Sequence, residues 1–123
     1  MKLNHDCIRD MLLYLEDNLY DKPLKIRSIA SNFEKDYTLD EIVYTFQKLQ
    51  QEKFITTTHE SECSKHSSIK TITWKGHNFL DNIRDTKVLS IAKKALSAVP
   101  SFSIELLSNT CSKIIEGMAA KKL

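Results

Sequence analysis

Glycine, proline and tryptophan are scarce in this chain of 123 residues, which contains two glycines, two prolines and one tryptophan. Two glycines cannot build a phosphate-cradling loop, because such loops need several glycines close together. The three cysteines, Cys7, Cys63 and Cys111, lie far apart and form no Cys-x-x-Cys pair. We therefore expect reduced thiols rather than a disulfide framework.

Long apolar runs are also missing. None reaches the roughly 18 residues that a membrane-spanning helix needs, and the segment Met1–Asp6 turns polar without the apolar stretch of a secretion signal. The composition, 41% hydrophobic and 28% charged, is that of an ordinary globular domain. These features predict a cytoplasmic protein without a membrane partner.

Charge is distributed unevenly, although the net charge is only +2. Residues 36–62 contain six acids and two bases, a balance of −4, whereas residues 84–123 contain seven bases and three acids, a balance of +4. A mildly basic chain is compatible with nucleic-acid binding but does not require it.

Helical periodicity dominates the first half of the chain. Apolar residues at helical spacing predict an amphipathic first helix that Asn4 caps and Pro23 follows: Ile8, Met11, Leu12, Leu15 and Leu19. A short extended segment, Leu24–Ile26, precedes a brief helix that we expect Ser28 to cap. The clearest helix start is the capping box Thr38-Leu39-Asp40-Glu41, which is followed by a buried stripe of Ile42, Phe46 and Leu49.

Two β-rich segments, Phe54–Thr58 and Ile69–Thr73, predict a hairpin with a loose polar loop. Thr73 is expected to cap the next helix, in which Gly76 lowers the helix propensity and so indicates a close backbone approach. Two further helices complete the chain. Val88, Ala92, Ala95 and Val99 line the first, and Ile104, Leu107, Cys111, Ile114 and Met118 line the second.

The order of elements predicts a mainly α protein with a small β-hairpin, an α+β fold. In more detail, it predicts a winged helix-turn-helix domain over residues 1–84 and a helical C-terminal extension over residues 85–123, packed as one compact domain. The capped helix after Tyr37 would be the recognition helix, and the hairpin would be the wing.

Several blocks of the sequence carry a family resemblance. Met1–Asp10, Asp21–Leu24, Ile72–Arg84 and Ser101–Ser103 resemble DUF2513, an uncharacterised family of bacteria and phages. More loosely, Thr73-x-x-Gly76-x-x-Phe79-Leu80 looks like the segment after the wing in PadR-like and MarR-like repressors. The resemblance implies a winged-helix fold and frequent occurrence in mobile elements, and it supplies no catalytic or binding residues.

A regulator that binds duplex DNA is the first functional prediction. Its contacts would come from the outward face of the recognition helix, predicted as Asp40, Glu41, Tyr44, Thr45, Lys48 and Gln51. Basic residues beside the short first strand and the wing would add phosphate contacts: Lys25, Arg27, Lys65 and Lys70. Since Asp40 and Glu41 would face phosphates, the acidic segment opposes this reading.

A protein-interaction module is the alternative, for example a phage inhibitor of a host defence or nucleic-acid-binding enzyme. Its acidic face, which includes Asp40 and Glu41, would bind a basic cleft of a host protein. The apolar spacing of the last helix, close to 3.5 residues, fits either a homodimer seam or packing within one chain.

Chemistry-bearing residues are few. His59, Cys63 and His66 share one loop and contain good zinc ligands, but a fourth ligand is missing, and a flexible polar wing is the better explanation of the loop. The same loop lacks an orienting third group for a Cys/His catalytic pair. The sequence therefore predicts a non-enzyme without a cofactor.

Overall fold

The computed structural model describes residues 1–58 and 63–121. Within these residues the chain forms six α-helices and a small antiparallel sheet of three strands, so the predicted α+β class is confirmed. The elements, in chain order, are α1 (His5–Asn18), β1 (Leu24–Lys25), α2 (Ile26–Ser31), α3 (Leu39–Gln51), β2 (Ile55–Thr57), β3 (Ser68–Ile72), α4 (Trp74–Ile83), α5 (Thr86–Ala95) and α6 (Ile104–Lys121).

Contacts divide the chain into two compact units, Met1–His77 and Asn78–Leu123, with the boundary inside α4. The division into 1–84 and 85–123 that the sequence suggested stays a prediction. No helix within the described ranges is both long and apolar enough to cross a membrane.

The core of the first unit confirms the helical stripes. Every residue that was expected to line the first helix is fully buried except Leu19, which ends it, and the stripe of α3 is fully buried as well: Ile8, Met11, Leu12, Leu15, Ile42, Phe46 and Leu49. Each such side chain contributes about 1.5–3 kcal/mol to stability. Asn4 caps α1 through bonds from the Asp6 and Cys7 amides, as predicted.

The predicted hairpin is present. Strands β2 and β3 pair antiparallel, and β1 pairs with the other edge of β3, giving the order β1-β3-β2. The expected cap at Ser28 was wrong, because the brief second helix begins two residues earlier, at Ile26. Lys25 flanks its N-terminus and makes no side-chain cap bond.

Helix α3 ends in a Schellman motif. The Lys53 amide donates to the Gln50 carbonyl, and the Phe54 amide donates to the Leu49 carbonyl, both at 2.9 Å. These two bonds require a left-handed residue, and Lys53 adopts φ 63°. The reversal leads the chain directly from α3 into β2.

Gly76 lies where the backbone of α4 passes the start of the hairpin. A Cβ atom at this position would lie 2.1 Å from the Phe54 carbonyl oxygen and 2.8 Å from Ile72 Cγ2, so only glycine fits. The Thr73 hydroxyl accepts from the Gly76 amide at 3.0 Å and caps α4. Both predictions for this segment, the cap and the close approach, are confirmed.

In the second unit, α5 begins after Asp85, whose carboxylate accepts from the Lys87 and Val88 amides. Val88, Leu89 and Ala92 are buried in α5, and Leu107 and Cys111 are buried in α6. The expected lining of α5 was wrong at its end: Ala95 is exposed, and Val99 is 42% exposed because the helix stops at Ala95.

Candidate functional site

The outward side of α3 brings together three of the residues predicted to bind. The Lys48 ammonium lies 5.2 Å from the centre of the Tyr44 ring and donates to the Gln51 side-chain oxygen at 3.3 Å. We refer to Tyr44, Lys48 and Gln51 as the α3 outer cluster. The aromatic face and the amide hold the ammonium in place, so the cluster combines a positioned cation with amide and phenol groups that can bond phosphates or base edges.

Two acids stand at the first turn of α3, before the outer cluster. Asp40 is exposed, and its charge is favourable beside the positive end of the helix dipole. Glu41 is half-buried: its amide donates to the Thr38 hydroxyl at 3.1 Å, and its carboxylate accepts from the Asn4 amide nitrogen at 3.4 Å. Glu41 therefore joins the start of α3 to the start of α1, whereas Asp40 is directed to solvent.

Thr45 corrects the predicted outward face. Its side chain is buried, its hydroxyl donates to the Glu41 carbonyl at 2.8 Å, and the same hydroxyl lies 3.3 Å from the Cys7 sulfur. At about 100° per residue, position 45 lies roughly 40° from Leu49 on the helix surface, within the apolar stripe. The residue therefore connects α3 to α1 and is removed from any surface contact.

Cys7 is also unavailable for chemistry at neutral pH. Burial raises the pKa of the Cys7 thiol to about 11, against the lowering effect of the bond from Thr45, and the charges of Glu41 and Asp10 raise it further. A thiol with this pKa stays protonated at pH 7 and is a poor nucleophile.

Two glutamines that were not predicted fix α3 against the hairpin. The Gln47 amide donates to the Cys63 carbonyl, and the Gln50 amide donates to the Thr57 hydroxyl, both at 2.8 Å. Their position beside the buried stripe was visible in the sequence, but their partners lie 16 and 7 residues away and no local pattern identifies them. These bonds set the distance between the α3 outer cluster and the hairpin.

The other predicted cations are all exposed but lie in different places. Lys25 and Arg27 flank the start of α2, and Lys65 lies in the segment that leads into β3. Lys70 lies within β3 and lines a groove beside the end of α1. Lys25, Arg27 and Lys65 therefore remain candidates for phosphate contacts, while Lys70 belongs to a separate surface.

The predicted metal loop is described only in part, because His59 lies outside the described residues. Cys63 is buried, and this burial raises the pKa of its thiol to about 11, partly offset by a bond from Ser67. His66 is exposed, and its amide donates to the Ser64 hydroxyl at 3.2 Å. Residues 1–58 and 63–121 contain no group of three side chains that could hold a metal ion.

The two units differ in charge. Met1–His77 contains eleven lysines and arginines and twelve aspartates and glutamates, a net charge of −1. Asn78–Leu123 contains seven and four, a net charge of +3. The unit that carries α3 and the hairpin is therefore not basic as a whole, and attraction to an anion would depend on single side chains.

Comparison with known proteins gives one relative and one family. A protein of Haemophilus influenzae named "Uncharacterized protein" is 28% identical over 122 residues, which cover 98% of this chain and 100% of that protein. No solved structure matches the chain. A family model described as "Hypothetical protein (DUF2513)" matches residues 2–103. Since this match covers most of the chain and includes the hairpin and α4, the protein belongs to the DUF2513 family.

Proposed function

We propose that residues 1–84 form a winged-helix domain that binds duplex DNA and regulates transcription without catalysing a reaction. In this proposal α3 enters the major groove and the hairpin acts as the wing. The observation that carries the proposal is the α3 outer cluster. It lies on the side of α3 opposite the buried stripe, and Gln47 and Gln50 hold the helix beside the hairpin.

Each part of the outer cluster has a role in this proposal. The Lys48 ammonium neutralises a phosphate or donates to a guanine edge, and Gln51 can bond an adenine edge. Tyr44 contributes its ring, which keeps Lys48 in place. Lys25, Arg27 and Lys65 supply further phosphate contacts.

The net charge of −1 on Met1–His77 limits how tightly this unit can bind DNA. If four cations (Lys25, Arg27, Lys48 and Lys65) each neutralise one phosphate, the logarithm of the binding constant should fall with the logarithm of salt concentration at a slope of about −3.6. Non-specific affinity should therefore be weak at physiological salt, and a paired DNA site with two copies of the chain would compensate.

Fluorescence anisotropy with a labelled duplex, measured between low and physiological salt, tests the proposal. Lys48→Gln should lower the affinity and make the slope less negative by about 0.9, because one phosphate contact is lost. Lys87→Gln, at an exposed position of α5 in the other unit, is the matched control and should leave both quantities unchanged. Undetectable binding at low salt, or a slope that Lys48→Gln does not alter, would contradict DNA binding.

A second candidate function is binding of a basic protein surface by the acidic end of α3. The observation in its favour is exposed Asp40 on a unit whose net charge is −1. Charge reversal separates the candidates, because Asp40→Lys should strengthen duplex binding if α3 faces DNA and should abolish capture of a basic partner if α3 faces protein.

Affinity purification from bacterial extract followed by mass spectrometry tests the second candidate function by detecting a captured basic partner. A basic partner should be captured by the natural chain and by Glu34→Lys, an exposed control outside the acidic segment 36–62, but not by Asp40→Lys. Equal capture by all three proteins would rule out the acidic end of α3 as the contact.

A further inference from the structure

A groove of about 210 Å³ lies between the end of α1 and strand β3 within the first unit. Its walls include three apolar side chains and two aromatic rings, with one lysine among them: Leu15, Leu19, Ile72, Tyr20, His77 and Lys70. None of the α3 residues discussed above lines it. The groove is therefore separate from the proposed DNA-binding surface.

The groove exists because β1 is too short to cover β3. Strand β1 pairs only with Ser68 and Ile69, and Pro23, which precedes it, has no amide hydrogen to continue the ladder. Among the described residues, the segment Lys70–Ile72 has no strand partner on this side. The end of α1 forms the opposite wall, so the groove lies between α1 and this unpaired edge of β3.

A β-bulge turns Lys70 outward beside this gap. The register of β2 and β3 runs from Thr56 opposite Thr71 to Thr57 opposite Ile69, so Lys70 is the extra residue. Bulges redirect side chains in this way, and Lys70 and Thr71 are consecutive yet both exposed. Within residues 1–58 and 63–121, no carboxylate lies within ion-pair distance of the Lys70 ammonium.

Two large aromatic residues of the first unit are exposed. Tyr20 is 82% exposed, yet its hydroxyl donates to the Asp17 carbonyl at 3.0 Å, which holds the ring in place. Trp74, the single tryptophan, is 83% exposed and precedes His77 by three positions, so both lie on the same side of α4. Exposed tyrosine and tryptophan are typical of protein-binding surfaces, where they act as anchors.

Size and charge decide which ligand the groove can take. A volume of 210 Å³ is below the roughly 300–1,000 Å³ of small-molecule sites and leaves room for one bulky side chain. The Lys70 ammonium favours an acid on the β3 side, whereas Glu16 lines the α1 side and disfavours one there. We propose that the groove is a docking site for a partner protein that inserts one aromatic side chain, followed by an acidic residue that pairs with Lys70.

The test uses the full chain, labelled with ¹⁵N, and the peptide probe acetyl-Ser-Phe-Asp-Asp-Ser-amide. Titration should shift the amide resonances of Leu19, Tyr20, His77 and residues 70–72. Tyr20→Ala and Lys70→Glu should each weaken binding at least about tenfold, because they remove the ring wall and the cation. Lys35→Glu, an exposed lysine outside the groove, is the matched control and should bind as the natural chain does.

Other probes and variants make the result decisive. The peptide with alanine in place of phenylalanine, and the peptide with lysines in place of aspartates, should both fail to bind. Dispersed spectra establish that each variant folds, and Lys70→Gln replaces Lys70→Glu if the latter does not. The proposal is overturned if no resonance shifts at millimolar peptide, if the lysine peptide binds equally, or if free benzoate shifts the same resonances with the same affinity.

Discussion

Replacing Gly76 by alanine should destabilise the protein, although alanine is the better helix former. The added methyl group would lie 2.1 Å from the Phe54 carbonyl oxygen, far inside any normal contact distance. This oxygen cannot rotate away because it belongs to the backbone and accepts the Thr73 amide at 2.9 Å. The Thr73 hydroxyl also donates to the Lys53 carbonyl at 2.7 Å, which braces the same junction.

The magnitude follows from two opposing effects. Alanine gains about 1 kcal/mol over glycine in a helix, while forcing an extra carbon into a packed site costs about 1–3 kcal/mol and occasionally more. Because both Phe54 and Ile72 are too close, we expect a cost at or above the upper end of that range. The net loss should be about 2 kcal/mol or more, which corresponds to a decrease in Tm of roughly 6–10 °C for a chain of this size.

Urea denaturation followed by circular dichroism measures this change, with a thermal scan as the second assay. Gly117→Ala in α6 is the matched control, since nothing lies within 4 Å of its added Cβ and the substitution should stabilise by up to about 1 kcal/mol. If Gly76→Ala were as stable as the natural chain, or if both variants became more stable together, the close approach of α4 to the hairpin would be wrong.

Four further predictions address stability, thiol chemistry and assembly. Lys53→Gly should stabilise by up to about 1 kcal/mol in urea denaturation, because it relieves a left-handed lysine at φ 63°; no gain would contradict the strain. Tyr37→Phe should cost about 1.5 kcal/mol by removing the 2.6 Å bond to the Asp10 carboxylate, and an unchanged midpoint would show that bond to be weak. Burial raises the pKa of the Cys7 and Cys63 thiols from 9.0 to about 11. At pH 8 these thiols should therefore react with iodoacetamide about 100-fold more slowly in the folded chain than in the chain unfolded by urea, and rapid labelling of the folded chain would exclude the burial. The free energy of unfolding should also fall as the pH rises from about 9 to about 11. If two copies pair through α6, Met118→Glu should shift the mass in light scattering from dimer to monomer, because Met118 is 40% exposed on the apolar stripe; a monomer before substitution would refute pairing.

Much of the fold was predictable from local signals. The Asn4 and Thr38 caps, the buried stripe of α3 and the two strands of the hairpin were all predicted and are all present. They follow from the chemistry of neighbouring residues, since caps satisfy amides within one turn and apolar periodicity selects the buried face. The tight packing at Gly76 was also indicated, because a glycine inside a helix gives up stability that only a close contact explains.

Long-range partners were not predictable. Thr45 was expected on the surface, but tertiary packing buries it against Cys7, which lies 38 residues away. Gln47 and Gln50 received no role from the sequence, and only the folded chain shows that they hold α3 to the hairpin.

What the sequence by itself determined is where helices and strands begin, which of their faces are apolar and where charge accumulates. These properties depend on residues within a few positions of each other. Tertiary structure alone decided which polar groups are buried, which lysine a bulge directs into a groove, and which glycine has no room for a methyl group. The physical reason is that such contacts join residues far apart in the chain, so their geometry is set only when the elements pack.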